Sequence, residues 1–222
     1  NDITTGVRNT VMGAFSGDAL TDADYNTAVG YAALTGDTKG SRSVAIGYEA
    51  LLTQNFSTAT DTYNTAVGYR AGTAVTTGTQ NTLIGGLAGD AITDADGNVA
   101  VGYASLTTNV LGSDSVAIGK NALNVQNPAS ATAMHNVAVG KNAGEAITTG
   151  VQNVIIGSIA ADAATTPDTC TLIGYQACGD GVLTGNQNVV IGGNAGLSMT
   201  GGYQNTIVGN NAGDALTDGN SN

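Results

Sequence analysis

Polar and apolar positions recur along this chain on a fixed short period. A five-residue phrase runs Asn or Ser, then Thr or Val, then two apolar residues, then Gly, and it occurs twelve times, with Cys170 once in the leading place. Its glycines are Gly13, Gly30, Gly47, Gly68, Gly85, Gly102, Gly119, Gly140, Gly157, Gly174, Gly192 and Gly209. Eight of the eleven intervals are 17 residues, two are 21 and one is 18. Such a period in a Gly-rich, β-branched chain predicts a solenoid, because each coil buries its apolar face only by stacking on the next. With each glycine counted as zero, position −3 is always Thr or Val, and position −1 is aliphatic in eleven coils and Met12 in one. Position −2 is Ala in six coils and a larger apolar residue in the others. These residue types favour strands, in which neighbours point to opposite faces. Positions −3 and −1 therefore share one face and −2 takes the other, the pattern of a strand covered on both sides.

One side is the interior of the coil. The other needs a cover, since twelve rungs at ~4.8 Å make a stripe longer than soluble monomers usually expose. The simplest cover is another copy of the chain in a parallel bundle. The remaining positions fill the coil. Position +3 is Ala in ten coils and Ser in two, as a crowded corner requires. A bulky apolar residue sits at +4 (Leu34, Leu51, Leu106, Leu123) or at +7 (Leu20, Val75, Ile92, Ile147, Met199, Leu216), generally with Gly at +4 in the second set. Ala161 and Ala164 fill their coil least, and Val182 and Leu183 are the apolar candidates of the 18-residue coil. The invariant Gly fits a positive φ or a close approach between chains. Asn and Ser at −4 are expected to hydrogen-bond up and down a ladder, with a polar binding row as the alternative. Tyr follows the glycine at Tyr31, Tyr48, Tyr69, Tyr103 and Tyr175, either covering the corner or offering rings to sugars.

A longer period overlies the coil. Gly13 to Gly85, Gly30 to Gly102 and Gly68 to Gly140 are each 72 residues, so the coils repeat in blocks of four, with the long coil third in the first two blocks. The extra residues lie in Thr53–Tyr63 and Asn124–His135. Insertions in solenoids map to loops on one face, often the binding face. Phe56, Tyr63, Met134 and His135 are thus the candidate receptor contacts, against the alternative of a plain bulge.

Composition narrows the function. A net charge of −11 argues against nucleic acid, whose phosphates such a surface repels, and gives no attraction to anionic membranes. No apolar run is long enough to cross a bilayer and no signal peptide is evident, so any export signal or anchor would lie outside these 222 residues. One His and scattered acids form no nucleophile–base or HExxH arrangement, so neither an enzyme nor a cofactor is expected. Asp94-Ala95-Asp96-Gly97-Asn98 resembles the opening of a calcium loop but lacks the downstream acid. Asp22-Ala23-Asp24 is a similar pair, and solvated turns are the competing reading. Cys170 and Cys178 share one coil and read as small wall residues, with a local disulfide as the alternative in an extracellular protein.

Ser43-Val44-Ala45-Ile46-Gly47 and Ser115-Val116-Ala117-Ile118-Gly119 resemble the head repeats of trimeric autotransporter adhesins. The Asn-Thr-Ala-Val-Gly-Tyr form at residues 26–31 and 64–69 resembles repeats of phage-type tail fibres and bacterial tail-fibre-domain proteins. The resemblance implies a parallel homotrimer of β-rolls, extracellular, on a cell surface or a virion tail fibre. Its task would be attachment to a cell-surface glycan or protein receptor. The expectation is therefore an all-β parallel β-solenoid of about twelve 17-residue coils, continuous over residues 1–222. A purely structural filament or matrix protein and an ice-binding solenoid, which would use the Thr/Val row, are the alternatives. Asp2-Ile3-Thr4-Thr5-Gly6 matches the second half of a coil, Asn222 falls where the next phrase should begin, and neither end carries a polar cap. These ends suggest a segment of a longer fibre.

Overall fold

The computed structural model describes residues 4–221; Asp2, Ile3 and Asn222, on which the reading of the ends partly rests, lie outside them. The protein is all-β, a parallel β-solenoid of about twelve turns of roughly 17 residues, with no helix among the described residues. It forms two compact units, Asn1–Leu111 and Gly112–Asn222, each built from the same coil. In the first unit the rungs are β1 (Thr10–Met12), β2 (Thr27–Val29), β4 (Val44–Ile46), β6 (Thr65–Val67), β7 (Thr82–Ile84) and β8 (Val99–Val101), paired in that order. In the second they are β10 (Val116–Ile118), β12 (Val137–Val139), β13 (Val154–Ile156), β14 (Thr171–Ile173), β15 (Val189–Ile191) and β16 (Thr206–Val208). Each long coil adds a short parallel pair. These are β3 (Gly40–Ser41) with β5 (Thr60–Asp61), and β9 (Gly112–Ser113) with β11 (Thr132–Ala133).

Register follows the repeat position by position. Ala66 lies beside Leu83, and Ile155 beside Leu172. Position −2 is the inward residue: Ala28, Ala45, Leu83, Ile155, Leu172 and Val190 are fully buried. The alternation therefore turns −3 and −1 outward, where Ile46, Ile84, Ile118 and Ile156 remain 38–39% exposed. The chain itself supplies only one of the two covers that the pattern calls for.

The invariant glycine is explained within a single chain. At Gly68 φ is +140°, and a Cβ there would stand 2.5 Å from the Gly85 carbonyl oxygen of the next coil. The close approach seen here is between successive coils of one chain. After the glycine the backbone makes two tight turns. Ala88 N–H donates to the Gly85 carbonyl (3.3 Å) and Ile92 N–H to the Gly89 carbonyl (3.2 Å). Positions +2 and +4 lie in the left-handed region even where the residue is Phe15, Glu49, Leu34 or Leu51. That conformation costs a residue with a Cβ roughly 1 kcal/mol. Bonds between coils hold it in place: Glu49 N–H reaches back to the Tyr31 carbonyl (2.9 Å), and Leu34 N–H reaches forward to that of Ala50 (3.0 Å).

The interior is filled as the +4/+7 alternation suggests. Leu20, Leu34, Leu51, Val75, Ile92, Leu106, Leu123, Ile147 and Met199 are all fully buried, whereas Leu216 is half-buried. Glycine at +4 makes room for +7, since a Cβ on Gly89 would meet Leu83 at 2.7 Å and Ile92 at 2.9 Å. In the 18-residue coil Leu183 points inward and Val182 outward; Ala161 and Ala164 are buried.

The −4 ladder differs from the expected one. Most of its bonds run from an Asn side chain to the backbone of the following coil, and direct side-chain steps join Asn153 to Asn136 and Asn205 to Asn188 (3.1 Å each). Asn64 Oδ1 accepts the Asn81 N–H (2.9 Å), and Asn64 Nδ2 donates to the Gly78 carbonyl (2.7 Å). The same pair of bonds recurs at Asn153 with Cys170 N–H and the Pro167 carbonyl. Because Asn26, Asn64, Asn81, Asn136, Asn153 and Asn188 are buried, this row is a fastening and offers no binding surface.

Candidate functional site

The two long coils divide the four candidate contacts into two kinds. In the first unit the chain leaves Leu51, crosses a turn and rejoins the coil through β5. Phe56 is drawn into the wall and is only 6% exposed. Thr38 Oγ1 fixes this turn by donating to Asn55 Oδ1 (3.0 Å) and to the Phe56 carbonyl (3.1 Å). Ser57, Thr58 and Ala59 carry the exposed bulge. Pro128, 72 residues after Phe56, is likewise buried, and Ala129, Ser130 and Ala131 form the second bulge. Met134 is fully buried at the end of β11, its N–H donating to the Ser113 carbonyl (2.9 Å). Phe56 and Met134 are therefore core residues, withdrawn from the surface that a receptor would touch. Tyr63 and His135 occupy equivalent places just before the Asn of the phrase. Both are exposed, with φ of +53° and +52°.

Tyr63 is one rung of a mixed stack at position −5 of the first unit. The Arg8 guanidinium lies 5.1 Å from the Tyr25 ring centroid, and Arg42 lies 4.8 Å from Tyr25 and 5.9 Å from Tyr63. Arg8 Nη1 also donates to the Tyr25 hydroxyl. Arg42 pairs with Asp61 at 2.9 Å, and that hydrogen bond and charge raise its pKa further. A second row stands after the glycines. Tyr31 and Tyr48 stack at 5.2 Å, Tyr48 and Tyr69 at 5.4 Å, and Phe15 meets Tyr31 edge-on at 5.7 Å. Tyr48 thus has a stacked ring on each side. Glu49 bonds the Tyr48 hydroxyl and pushes its pKa up.

The acidic pairs are engaged by the neighbouring coil. Asp94 Oδ1 accepts Thr76 Oγ1 (2.5 Å) and Thr77 Oγ1 (2.8 Å), and these bonds lower its pKa. Asp96 Oδ1 accepts the Thr79 N–H and hydroxyl at 2.6 and 2.9 Å. Asp22 and Asp24 cap Thr5 and Val7 in the same way, and the Thr5 and Thr4 hydroxyls lower the pKa of Asp22. These carboxylates fasten one coil to the next. No group of three or more His, Cys, Asp or Glu suited to a metal occurs among the described residues. Cys170 and Cys178 are free thiols, both buried. Burial raises both pKa values, that of Cys178 to about 12, and Cys178 Sγ lies 4.0 Å from Met199 Sδ.

A buried polar cluster escaped the sequence reading. Asp37, at +7, is fully buried; its Oδ2 accepts Gln54 Nε2 (2.6 Å) and its Oδ1 accepts the Gly40 N–H (2.9 Å). Gln54 also donates to Ser43 Oγ (2.9 Å) and accepts Asn64 Nδ2 (2.8 Å). It thereby supplies the amide that is missing where Ser43 breaks the Asn ladder. Gln126 bridges Ser115 and Asn136 in the second unit in the same manner. Burial raises the pKa of Asp37 against the opposing pull of these donors. The signal was present in the sequence: wherever +4 is Leu, +7 is Asp37, Gln54, Asn109 or Gln126.

Comparison with protein-family models, with curated proteins and with solved structures returned no match.

Proposed function

We propose that the chain is a segment of a structural and adhesive fibre, assembled from three parallel copies outside the cell, on a cell surface or a virion tail. It would serve attachment to a cell surface or host receptor. One observation carries this reading. In each unit the −3 and −1 side chains of the rungs form an outward ribbon of Thr, Val and Ile, with Met12 in the first rung and no polar group except Thr hydroxyls, and the chain itself does not cover it. A two-faced sheet that meets water on one side normally alternates apolar and polar residues. A second copy laid along the ribbon removes this apolar surface from water, and the choice of three copies follows the adhesin-like phrases. Attachment would fall to the bulges at Ser57–Ala59 and Ala129–Ala131, with Tyr63 and His135 beside them.

The experiment is cell and glycan-array binding by the chain with and without the two bulges, alongside its mass in native solution. A trimer whose binding drops on bulge deletion supports the whole reading. A trimer that binds no cell or glycan supports a purely structural filament. The in-register, β-branched ribbon also favours ice binding, which requires it bare on a single copy; a monomer with thermal hysteresis would establish that reading instead.

A further inference from the structure

The second unit carries a polar hollow of about 470 Å³ beside the 18-residue coil, and it touches neither the bulges nor the ribbon. Thr184, Asn186 and Gln187 line it from one coil, and Tyr203 and Gln204 from the next, with Gly185 and Gly201 leaving its floor bare of side chains. The amides are already oriented. Asn186 Oδ1 accepts the Asp168 N–H (2.9 Å), and Gln187 Oε1 accepts Gln204 Nε2 (3.0 Å). The Gln187 Nε2 protons and the Tyr203 hydroxyl have no partner among the described residues, and the Tyr203 ring is 48% exposed. Unlike Tyr31 and Tyr48, Tyr203 has no aromatic neighbour against its ring among the described residues.

We infer that this hollow is a subsite for a neutral pyranose sugar. Its size lies within the range of small-molecule sites. Carboxamides both donate and accept, as sugar hydroxyls do. The aromatic ring offers an apolar face to the C–H side of a pyranose. The lining carries no charged side chain, while Asp168 and Asp218 stand nearby and the chain is strongly acidic, which disfavours an anionic sugar. The inference rests on the attachment reading but adds a carbohydrate contact apart from the bulges, and it does not depend on copy number, so failure here leaves the bulges and the trimer standing, and a monomeric chain leaves the subsite standing.

The test is NMR titration of the whole chain with the methyl glycosides of glucose, galactose and N-acetylglucosamine, with sialic acid and sorbitol as further arms. At least one neutral glycoside should shift the Tyr203 ring and Gln187 side-chain amide resonances. Tyr203→Ala and Gln187→Ala should each weaken that binding ~tenfold or more, while Tyr203→Phe keeps most of it and Tyr175→Ala leaves it unchanged. Tyr203 is surface-exposed, so its variants should retain the far-UV circular dichroism of the parent. The inference is overturned if no glycoside moves these resonances, if the shifts survive Tyr203→Ala, or if sialic acid or sorbitol binds as well as the neutral pyranosides.

Discussion

At the scale of single residues, the coil turns on a steric fact and an electrostatic one. Gly68 combines a φ of +140° with a carbonyl 2.5 Å from where its Cβ would lie, whereas a Cβ on Gly86 would make only ordinary contact, its nearest atom being Tyr103 Cδ2 at 3.6 Å. Gly68→Ala should therefore cost more than ~3 kcal/mol, and Gly86→Ala should change stability by no more than ~0.5 kcal/mol, as measured by urea denaturation. Asp37 supplies the electrostatic case. Its folded-state pKa is raised by burial, so the stability it contributes is present at low pH and lost as pH rises through that raised value. Lowering the pH from neutral to about pH 4 should therefore stabilise the parent relative to Asp37→Asn; thermal melts of the pair across that window read the difference. Asp94 acts in the opposite sense. The Thr76 and Thr77 hydroxyls lower its folded pKa, so its contribution is present above the unfolded value and lost as pH falls through the depressed one. Asp94→Asn should accordingly narrow the gap to the parent on acidification, a slope opposite in sign to that of Asp37→Asn.

At the scale of the coil, much was legible because its determinants are local. Period 17 set the stacking and β-branched residues set the strand, but with both faces apolar the spacing did not say which one turns inward; burial assigns that face to position −2. The left-handed backbone at +2 was not legible, because Phe15, Glu49 and Leu87 share no feature that asks for positive φ. Hydrogen bonds from neighbouring coils impose it. Phe56 and Met134 lie in the wall and not on the loop surface for a related reason: only the middle of each insertion bulges, and its ends return to the coil. The coupling of +4 to +7 offers the sharpest test at this scale. Gly89→Leu should be destabilising, because Leu83 and Ile92 occupy the space. Adding Ile92→Ala should recover part of the loss, so that the two changes are non-additive by ~0.5–3 kcal/mol in a double-mutant cycle. Leu51→Ala, which removes a fully buried side chain, should cost ~2–5 kcal/mol by denaturant titration.

For the molecule as a whole, the solenoid is all-β and parallel, and its rungs carry an outward apolar ribbon that the chain itself leaves uncovered. Ile84 and Ile118 point away from the core, so changing them to Asp should leave the circular dichroism of the coil intact and, on the proposed assembly, separate the copies. The candidate contacts were only partly legible: Tyr63 and His135 are exposed, yet the hollow around Tyr203 has no motif, because it arises from glycines and amides that also serve as ordinary turn residues. The most direct test of the account is the mass of the intact chain in native solution at micromolar concentration, by sedimentation equilibrium. Burial of the ribbon between copies predicts a species of three times 21.8 kDa that falls to one copy when Ile84 and Ile118 become Asp. A stable species of 21.8 kDa in the parent protein, unaffected by those substitutions, would contradict it.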